Sequence, residues 1–114
     1  MKKNDLIYLN HIINSIERIE EYTGDLEKND FLSNQLVQDG TIRQIEIIGE
    51  ATKNLSKGFR EKYPQVPWSD IAGMRDRLIH HYFGVDLHAV WRTIKIDTPD
   101  LKENILDILD VLEP

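Results

Sequence analysis

The sequence predicts an all-α protein, an antiparallel bundle of four to five helices in one domain that spans residues 1–114. Apolar residues recur at helical spacing in several segments, and no segment shows sustained alternation of apolar and polar residues with turn chemistry. Hydrophobic residues make up 40% of the chain and charged residues 30%, a balance typical of a globular protein with one buried core. These observations argue against the disordered and mainly β classes.

The first helix is predicted over residues 4–22. Its apolar residues fall on one stripe, and Gly24 follows the last of them as a stop signal. The stripe consists of Leu6, Leu9, Ile12, Ile13, Ile16 and Ile19. His11 lies off this stripe and is given no role. A polar connection follows, with a short helical turn expected around Phe31 and Leu32.

A second, longer helix is predicted from Ser33 to Ser56. Its main apolar arc is expected to hold Leu36, Val37, Ile47, Ile48, Ala51 and Leu55. Ile42 and Ile45 lie well outside that arc, and a helix that is apolar on more than one side usually packs against two things. The core is one, and a partner subunit is the candidate for the other. Gly40 and Gly49 weaken the helix, which a close helix crossing would explain.

The second half of the chain is predicted to hold three further helices. Residues 57–68 should form a loop with at most a short helix, because one glycine and two prolines punctuate them. Ser69 is a good N-cap for a third helix that should end near Gly84, and Asp86 can cap a fourth. Thr98-Pro99-Asp100 combines the signals of a separate helix start. The last helix carries one stripe, made of Leu101, Ile105, Ile108 and Leu112.

Composition limits the classes of function. The net charge of −6 argues against non-specific nucleic-acid binding by the whole surface. Residues 71–96 carry +2 while the remainder carries −8, so a contact with RNA or a nucleotide is expected in this segment. The absence of cysteine excludes disulfides and fits a cytoplasmic protein. No long apolar run follows the basic start, so neither a signal peptide nor a membrane span is expected.

One stretch, Met74–Tyr82, is equipped for chemistry. It holds two of the six arginines and two of the four histidines of the chain within nine residues. Histidine titrates near neutral pH, and arginine is a permanent planar cation that suits phosphate. By chance alone Arg-x4-His would occur roughly 0.2 times in such a chain, so the spacing by itself is a weak signal.

The helical geometry of this stretch raises a question about Arg75 and His80. Arg75 shares one face with Ile71 and Leu78, and a cation on an apolar stripe needs a partner. His80 lies about 140° round a regular helix from Arg75. Either the helix deforms near His80, or a second copy of the chain completes the site.

Each residue of the stretch also has a purely structural interpretation. Arg75 could form a buried ion pair with Glu46 or Glu50, and His80 could be a cation at a helix C-terminus. Asp76 could orient His80 or Arg75, or simply be solvated. Tyr82 could pack in the core, while Arg77 and His81 are surface residues that at best help to hold RNA. No spacing of histidines or acids supports a metal site.

The motif Arg75-Asp76-x3-His80, read with Tyr82 as Arg-x4-His-x-Tyr, resembles that of the HepT-like toxins of the HEPN superfamily. These are helical domains that cleave RNA or bind nucleotides. The similarity extends over nearly the whole chain, through Ile47-Ile48-Gly49-Glu50-Ala51, Pro67-Trp68, Ile71-Ala72-Gly73-Met74-Arg75 and Tyr82-Phe83-Gly84-Val85-Asp86. Many members carry asparagine where this chain has Asp76, which places a negative charge beside the site.

The resemblance implies a ribonuclease that needs no metal and no cofactor and acts on RNA as a homodimer, with the motif at a shared cleft. The residues implied are Arg75 and His80 as catalytic, with Asp76 and Tyr82 as supporting residues. Arg77 and His81 are the RNA-binding candidates because they are basic surface residues of the same stretch. The chemistry agrees, because attack by the 2′-hydroxyl needs a base, an acid and a cation. One chain supplies half of the acid–base pair, whereas a two-fold dimer supplies both halves.

The resemblance also implies a partner. In HepT-like toxin–antitoxin modules a minimal nucleotidyltransferase neutralises the toxin by attaching AMP to the motif tyrosine, here Tyr82. On a regular helix Tyr82 would lie about 20° from Arg75 and two turns along, so the AMP group would occupy the cleft of Arg75. The alternative function is a non-catalytic subunit that presents substrate to such a nucleotidyltransferase. A third is a helical dimer with an interaction role only.

Overall fold

Three long helical segments build the fold, in a computed structural model that describes residues 3–80 and 84–112. In chain order the elements are α1 (Lys3–Thr23), α2 (Lys28–Leu32), α3 (Gln35–Asn54), α4 (Lys57–Lys62), α5 (Trp68–Ala72), α6 (Met74–Leu78), β1 (Ile79–His80), β2 (Gly84–Val85), α7 (Leu87–Arg92), a π-helical segment (Thr93–Asp97) and α8 (Thr98–Leu112). The two short strands pair antiparallel. The predicted all-α class is confirmed. None of the described helices is long and apolar enough to cross a membrane.

The pairing of α1 with α3 forms the centre of the bundle. The two helices run antiparallel, because Asp5 at the start of α1 bonds to Ser56 just beyond α3, while Tyr22 near the end of α1 packs against Gly40. The predicted stripe of α1 is confirmed, since five of its six residues are buried. The predicted short helix around Phe31 is also confirmed, and its ring packs against Trp91 of α7.

The face that α3 turns to the core differs from the prediction. Ile45, expected to contact a partner subunit, is only 1% exposed, whereas Leu36, expected in the core, is 83% exposed. The predicted apolar arc differs from the buried face because that face includes three polar residues, Thr41, Gln44 and Thr52. Burial of the Thr52 hydroxyl is tolerated because it donates to the carbonyl oxygen of Ile48 at 2.8 Å within the helix.

The predicted third helix is two short helices followed by a strand. The residue at the N-cap of α5 is Pro67 rather than Ser69, and the helix is interrupted at Gly73. α6 ends at Leu78, because Ile79 adopts an extended backbone with φ −117° and ψ 113° and pairs with Val85. The expectation of a helix that continues to near Gly84 is therefore wrong.

The fourth and fifth predicted helices are one continuous helical segment. Asp86 caps its start as expected, by accepting a hydrogen bond from the backbone N–H of Ala89 at 3.0 Å. Thr98 is helical rather than a new N-cap, with φ −71° and ψ −36°. Proline at position 99 cannot donate to the carbonyl four residues earlier, and the π-helical segment directly before it takes up this irregularity. The residues Thr98-Pro99-Asp100, which predicted a helix start, therefore lie next to a distortion within one helical segment.

The glycines of α3 allow close approach, as predicted. A Cβ atom at Gly49 would lie 3.3 Å from the backbone oxygen of Ala72, so any other residue would require α5 to shift by a few tenths of an ångström. A Cβ atom at Gly40 would lie 3.2 Å from the ring of Tyr22. The crossing of α3 with α5 brings the following helix, α6, beside α3 and so positions the candidate site.

The contact between the two ends of the central helix pair should contribute strongly to stability. Asp5 is 1% exposed, and its carboxylate accepts hydrogen bonds of 2.7 Å from both the backbone N–H and the hydroxyl of Ser56. We expect Asp5→Ala to lower the free energy of unfolding by about 2–3 kcal/mol, because charged hydrogen bonds are lost and a donor is left unsatisfied. Urea unfolding measures this. The exposed Asp39→Ala is the control, and equal losses in both variants would contradict the prediction.

Candidate functional site

Arg75 lies on α6 and reaches across to α3. Its Nε donates to Oε2 of Glu46 at 3.2 Å, and its Nη1 donates to Oδ1 of Asp76 at 3.4 Å. The side chain of Arg75 is 42% exposed and that of Glu46 is 35% exposed. The ion pair with Glu46 that the sequence suggested is therefore present, but it is half-exposed rather than buried. The guanidinium remains accessible to a ligand.

Arg75 faces a cleft of about 340 Å³ between α3 and the α5–α6 pair. The cleft is lined by Arg43, Glu46, Gly49, Glu50 and Lys53 of α3, and by Ala72, Arg75 and Asp76 on the opposite side. Gly49 and Ala72, which make the close contact between α3 and α5, are both among the lining residues. Three basic and three acidic side chains line it, so the cleft is balanced in a protein whose net charge is −6.

The arrangement leaves Arg75 able to bind an anion. A guanidinium has five N–H groups, of which Glu46 accepts one and Asp76 accepts one. The other three have no acceptor among the residues that the structure describes. Arginine binds phosphate through two parallel N–H groups, so the chemistry that this side chain can perform is the recognition of a phosphate group.

The other residues singled out in the sequence fall into three groups. Asp76 lies beside Arg75 and its side chain is 76% exposed. Arg77 points away from that cleft, because its Nη2 donates to the backbone oxygen of Asp70 at 3.2 Å and it lines a separate cavity with Asp97. The structure thus brings Asp76 to Arg75 and does not bring Arg77 there.

The histidines and the tyrosine of the motif are less fully described. The backbone of His80 lies in β1, two residues beyond the last residue of α6, and its side chain lies outside the described part of the chain. His81 and Tyr82 lie outside the described residues. The placement of Tyr82 on the face of Arg75 assumed a continuing helix, and that premise fails because α6 ends at Leu78. Within residues 3–80 and 84–112, no group of three or more histidines or acids could hold a metal ion.

Arg43 is a member of the site that was not predicted from the sequence. Arg43 is exposed on α3, one turn before Glu46, and lines the same cleft as Arg75. Its spacing from Glu46 and Glu50, at i, i+3 and i+7, places all three on one face of the helix. That polar face is the sequence signal for Arg43, whereas the apolar residues of the helix indicate only its core side.

Comparison with known proteins identifies relatives along nearly the whole chain. A family model described as "Ribonuclease HepT-like" matches residues 12–108. The chain is 56% identical over 113 residues to a protein of Methanocaldococcus jannaschii named "Gamma-glutamylcyclotransferase and putative RNase", a match that covers 99% of this chain and 51% of the relative. It therefore spans about half the length of that relative.

Two further relatives are similar in length to this chain. Identity to the "Probable ribonuclease HepT" of Thermococcus cleftensis is 47% over 102 residues, which covers 90% of this chain and 93% of the relative. Identity to a "Putative RNase" of Caldanaerobacter subterraneus is 45% over 102 residues, with 90% and 91% covered. No solved structure matches the chain significantly.

Asp76 is expected to weaken the attraction of the cleft for phosphate. We expect Asp76→Asn to bind a single-stranded oligonucleotide about threefold more tightly at low salt, since a charge roughly 6 Å away in water contributes about 0.7 kcal/mol. The gain should shrink at high salt, because exposed charges are screened. Fluorescence anisotropy with a 2′-deoxy oligonucleotide measures it. Asp110→Asn, an exposed carboxylate of α8 outside the cleft, is the control, and an equal gain there would point to a general charge effect.

Proposed function

The chain belongs to the HepT-like ribonuclease family, and from this premise we propose that it is an endoribonuclease whose reaction uses Arg75 and His80 and no metal ion. The single observation that carries the proposal is the half-exposed guanidinium of Arg75 in a cleft, with three N–H groups left for a phosphate. The names of the relatives, which describe RNases, support the same reaction class.

The proposed reaction is transfer of the RNA phosphate to the neighbouring 2′-oxygen. A neutral His80 accepts the proton of the 2′-hydroxyl, and the 2′-oxygen attacks phosphorus while the bond from phosphorus to the 5′-oxygen breaks. A protonated histidine returns a proton to the 5′-oxygen, which leaves a 2′,3′-cyclic phosphate and a 5′-hydroxyl. Arg75 stabilises the negative charge that develops on the phosphoryl oxygens.

This reaction requires two histidines, and one chain offers one at the motif. We therefore place the site at a two-fold homodimer in which each copy supplies Arg75 and His80. The predicted interface is retained only in part, because Ile45 belongs to the core whereas Ile42 does not. The outer side of α3 is the proposed contact face, since it borders the Arg75 cleft and carries the half-buried Ile42 and Ile47.

The biological role that we propose is that of the toxin in a cytoplasmic toxin–antitoxin module. The antitoxin is a minimal nucleotidyltransferase that transfers AMP from ATP to the phenol oxygen of Tyr82 and releases pyrophosphate. The added group carries one phosphodiester charge and a bulky nucleoside next to the motif. A phosphodiester pairs with arginine, so the modification would occupy Arg75 and exclude RNA.

Catalysis should depend on His80 and on the shape of Arg75. His80→Ala should lower the rate of RNA cleavage by about 10²–10⁴, the usual contribution of a proton-transfer group. Arg75→Lys should fail to restore the activity lost in Arg75→Ala, because lysine lacks the planar fork. Arg77→Ala, a cation of the same helix outside the cleft, is the matched control. Cleavage is followed on a labelled oligoribonucleotide with EDTA present.

Two outcomes would contradict this mechanism. Cleavage that persists at the full rate in His80→Ala would exclude His80 as the acid and base. Cleavage that stops with EDTA would show that the reaction depends on a metal ion. Light scattering provides an independent check, because a monomer at micromolar concentration would exclude the two-copy site. Absence of cleavage in an intact dimer that still accepts AMP would favour the non-catalytic subunit instead.

Neutralisation should depend on Tyr82. Co-expression with a minimal nucleotidyltransferase should add the mass of one adenylyl group, which is AMP less water, and Tyr82→Phe should abolish this addition while it retains most of the ribonuclease activity. Intact-mass spectrometry measures the adduct, and Tyr63→Phe is the control. An adduct that maps to Tyr8, Tyr22 or Tyr63 would refute this account of control.

A further inference from the structure

The ion pair between Arg75 and Glu46 has a specific geometry, in which Glu46 contacts only one nitrogen of the guanidinium. Glu46 accepts from Nε of Arg75, the one guanidinium nitrogen nearest the aliphatic chain, at 3.2 Å. Nη1 donates to Asp76 at 3.4 Å, and Nη2 has no acceptor among the residues that the structure describes. We propose that Glu46 is a positioning residue, which holds Arg75 in the orientation that presents its terminal N–H groups to the scissile phosphate. This inference rests on the proposed ribonuclease function.

Glu46 can act in this way because it belongs to a different helix. α6 has only five residues and cannot fix a long side chain by itself, whereas α3 has twenty. Glu46 lies one turn before Gly49, where the backbone of Ala72 comes within 3.3 Å of a Cβ position. The same close crossing therefore sets the distance between the helix that carries Glu46 and the helix that carries Arg75.

The pair is poorly suited to a purely structural role. Both side chains are more than a third exposed, and ion pairs of that kind contribute little to folding stability. The carboxylate also offsets part of the charge that Arg75 would offer to RNA, which is a cost to binding. A carboxylate at this place is useful when the gain from a fixed guanidinium exceeds that cost, as expected for a group that must meet a transition state.

Glu50 provides a matched control within the same cleft. It lies four residues after Glu46 on the same helix and lines the same cavity, but its carboxylate pairs with Lys53 at 3.6 Å. Removal of either glutamate changes the net charge of the cleft by the same amount. A difference between the two variants therefore reports the contact with Arg75 rather than the charge.

The experiment measures single-turnover cleavage of an oligoribonucleotide over a range of protein concentrations. Glu46→Ala should lower the rate at saturation about 10- to 100-fold, the usual effect of removing a residue that orients a catalytic group. The protein concentration at half-saturation should stay unchanged or fall, since the variant has lost a negative charge that repels RNA. Glu46→Gln should retain most of the rate, because its amide oxygen can still accept from Nε. Glu50→Ala should stay within about twofold of the unaltered protein.

A double-variant cycle separates positioning from a general structural effect. With Arg75→Ala already present, Glu46→Ala should cause no further loss, because there is no guanidinium left to orient. Equal melting temperatures would show that the variants are folded. Additive losses, or a Glu46→Ala protein that cleaves as fast as the unaltered one or faster, would overturn the inference while ribonuclease function stands. Full activity in Arg75→Ala would overturn both.

Discussion

The close crossing of α5 over α3 at Gly49 is the contact on which the candidate site depends. The carbonyl oxygen of Ala72 lies where any side chain at position 49 would meet it, at 3.3 Å from a Cβ. Three residues before Gly49 stands Glu46, and three residues after Ala72 stands Arg75. A larger residue at position 49 would require the backbone of α5 to shift by a few tenths of an ångström, and we expect that shift to weaken the contact between Arg75 and Glu46. Gly49 thus affects the contact between Arg75 and Glu46 indirectly, through the distance between the helices.

The short helices around this crossing depend on tertiary packing. A five-residue helix is unstable in isolation, and α6 is held because Met74 and Leu78 are buried against the rest of the bundle. The early end of α6 also changes the relation between the two motif residues. In a continuous helix Arg75 and His80 would point about 140° apart. The extended backbone at Ile79 removes that constraint, since the direction of His80 no longer follows the helix.

The charges of the cleft suggest how RNA would be recognised. Equal numbers of basic and acidic side chains line it, within a protein of net charge −6. Long-range attraction of a polyanion is therefore weak, and binding would depend on short-range contacts such as those of Arg75 and Arg43. A ribonuclease of this kind is expected to have modest affinity and to make its strongest contacts at the reacting phosphate, where they accelerate the chemical step.

Much of the helical organisation follows from the sequence by itself. The all-α class, the extent of α1 and the cap at Asp86 were correctly predicted, because periodicity and capping are local properties of the chain. The motif that contains Arg75 was also found from the sequence, since it is a contiguous pattern. That pattern could not decide which partner Arg75 has, and left both Glu46 and Glu50 open.

Only the tertiary structure decided the rest. It placed Ile45 in the core and Leu36 in solvent, it ended α6 at Leu78, and it merged the last two predicted helices across Pro99. It also selected Glu46 over Glu50 as the partner of Arg75. Each of these outcomes depends on which distant segments meet. Local propensities differ by about 1 kcal/mol or less per residue, and packing energies between such segments are larger. Packing therefore determines the structure wherever it disagrees with local propensity.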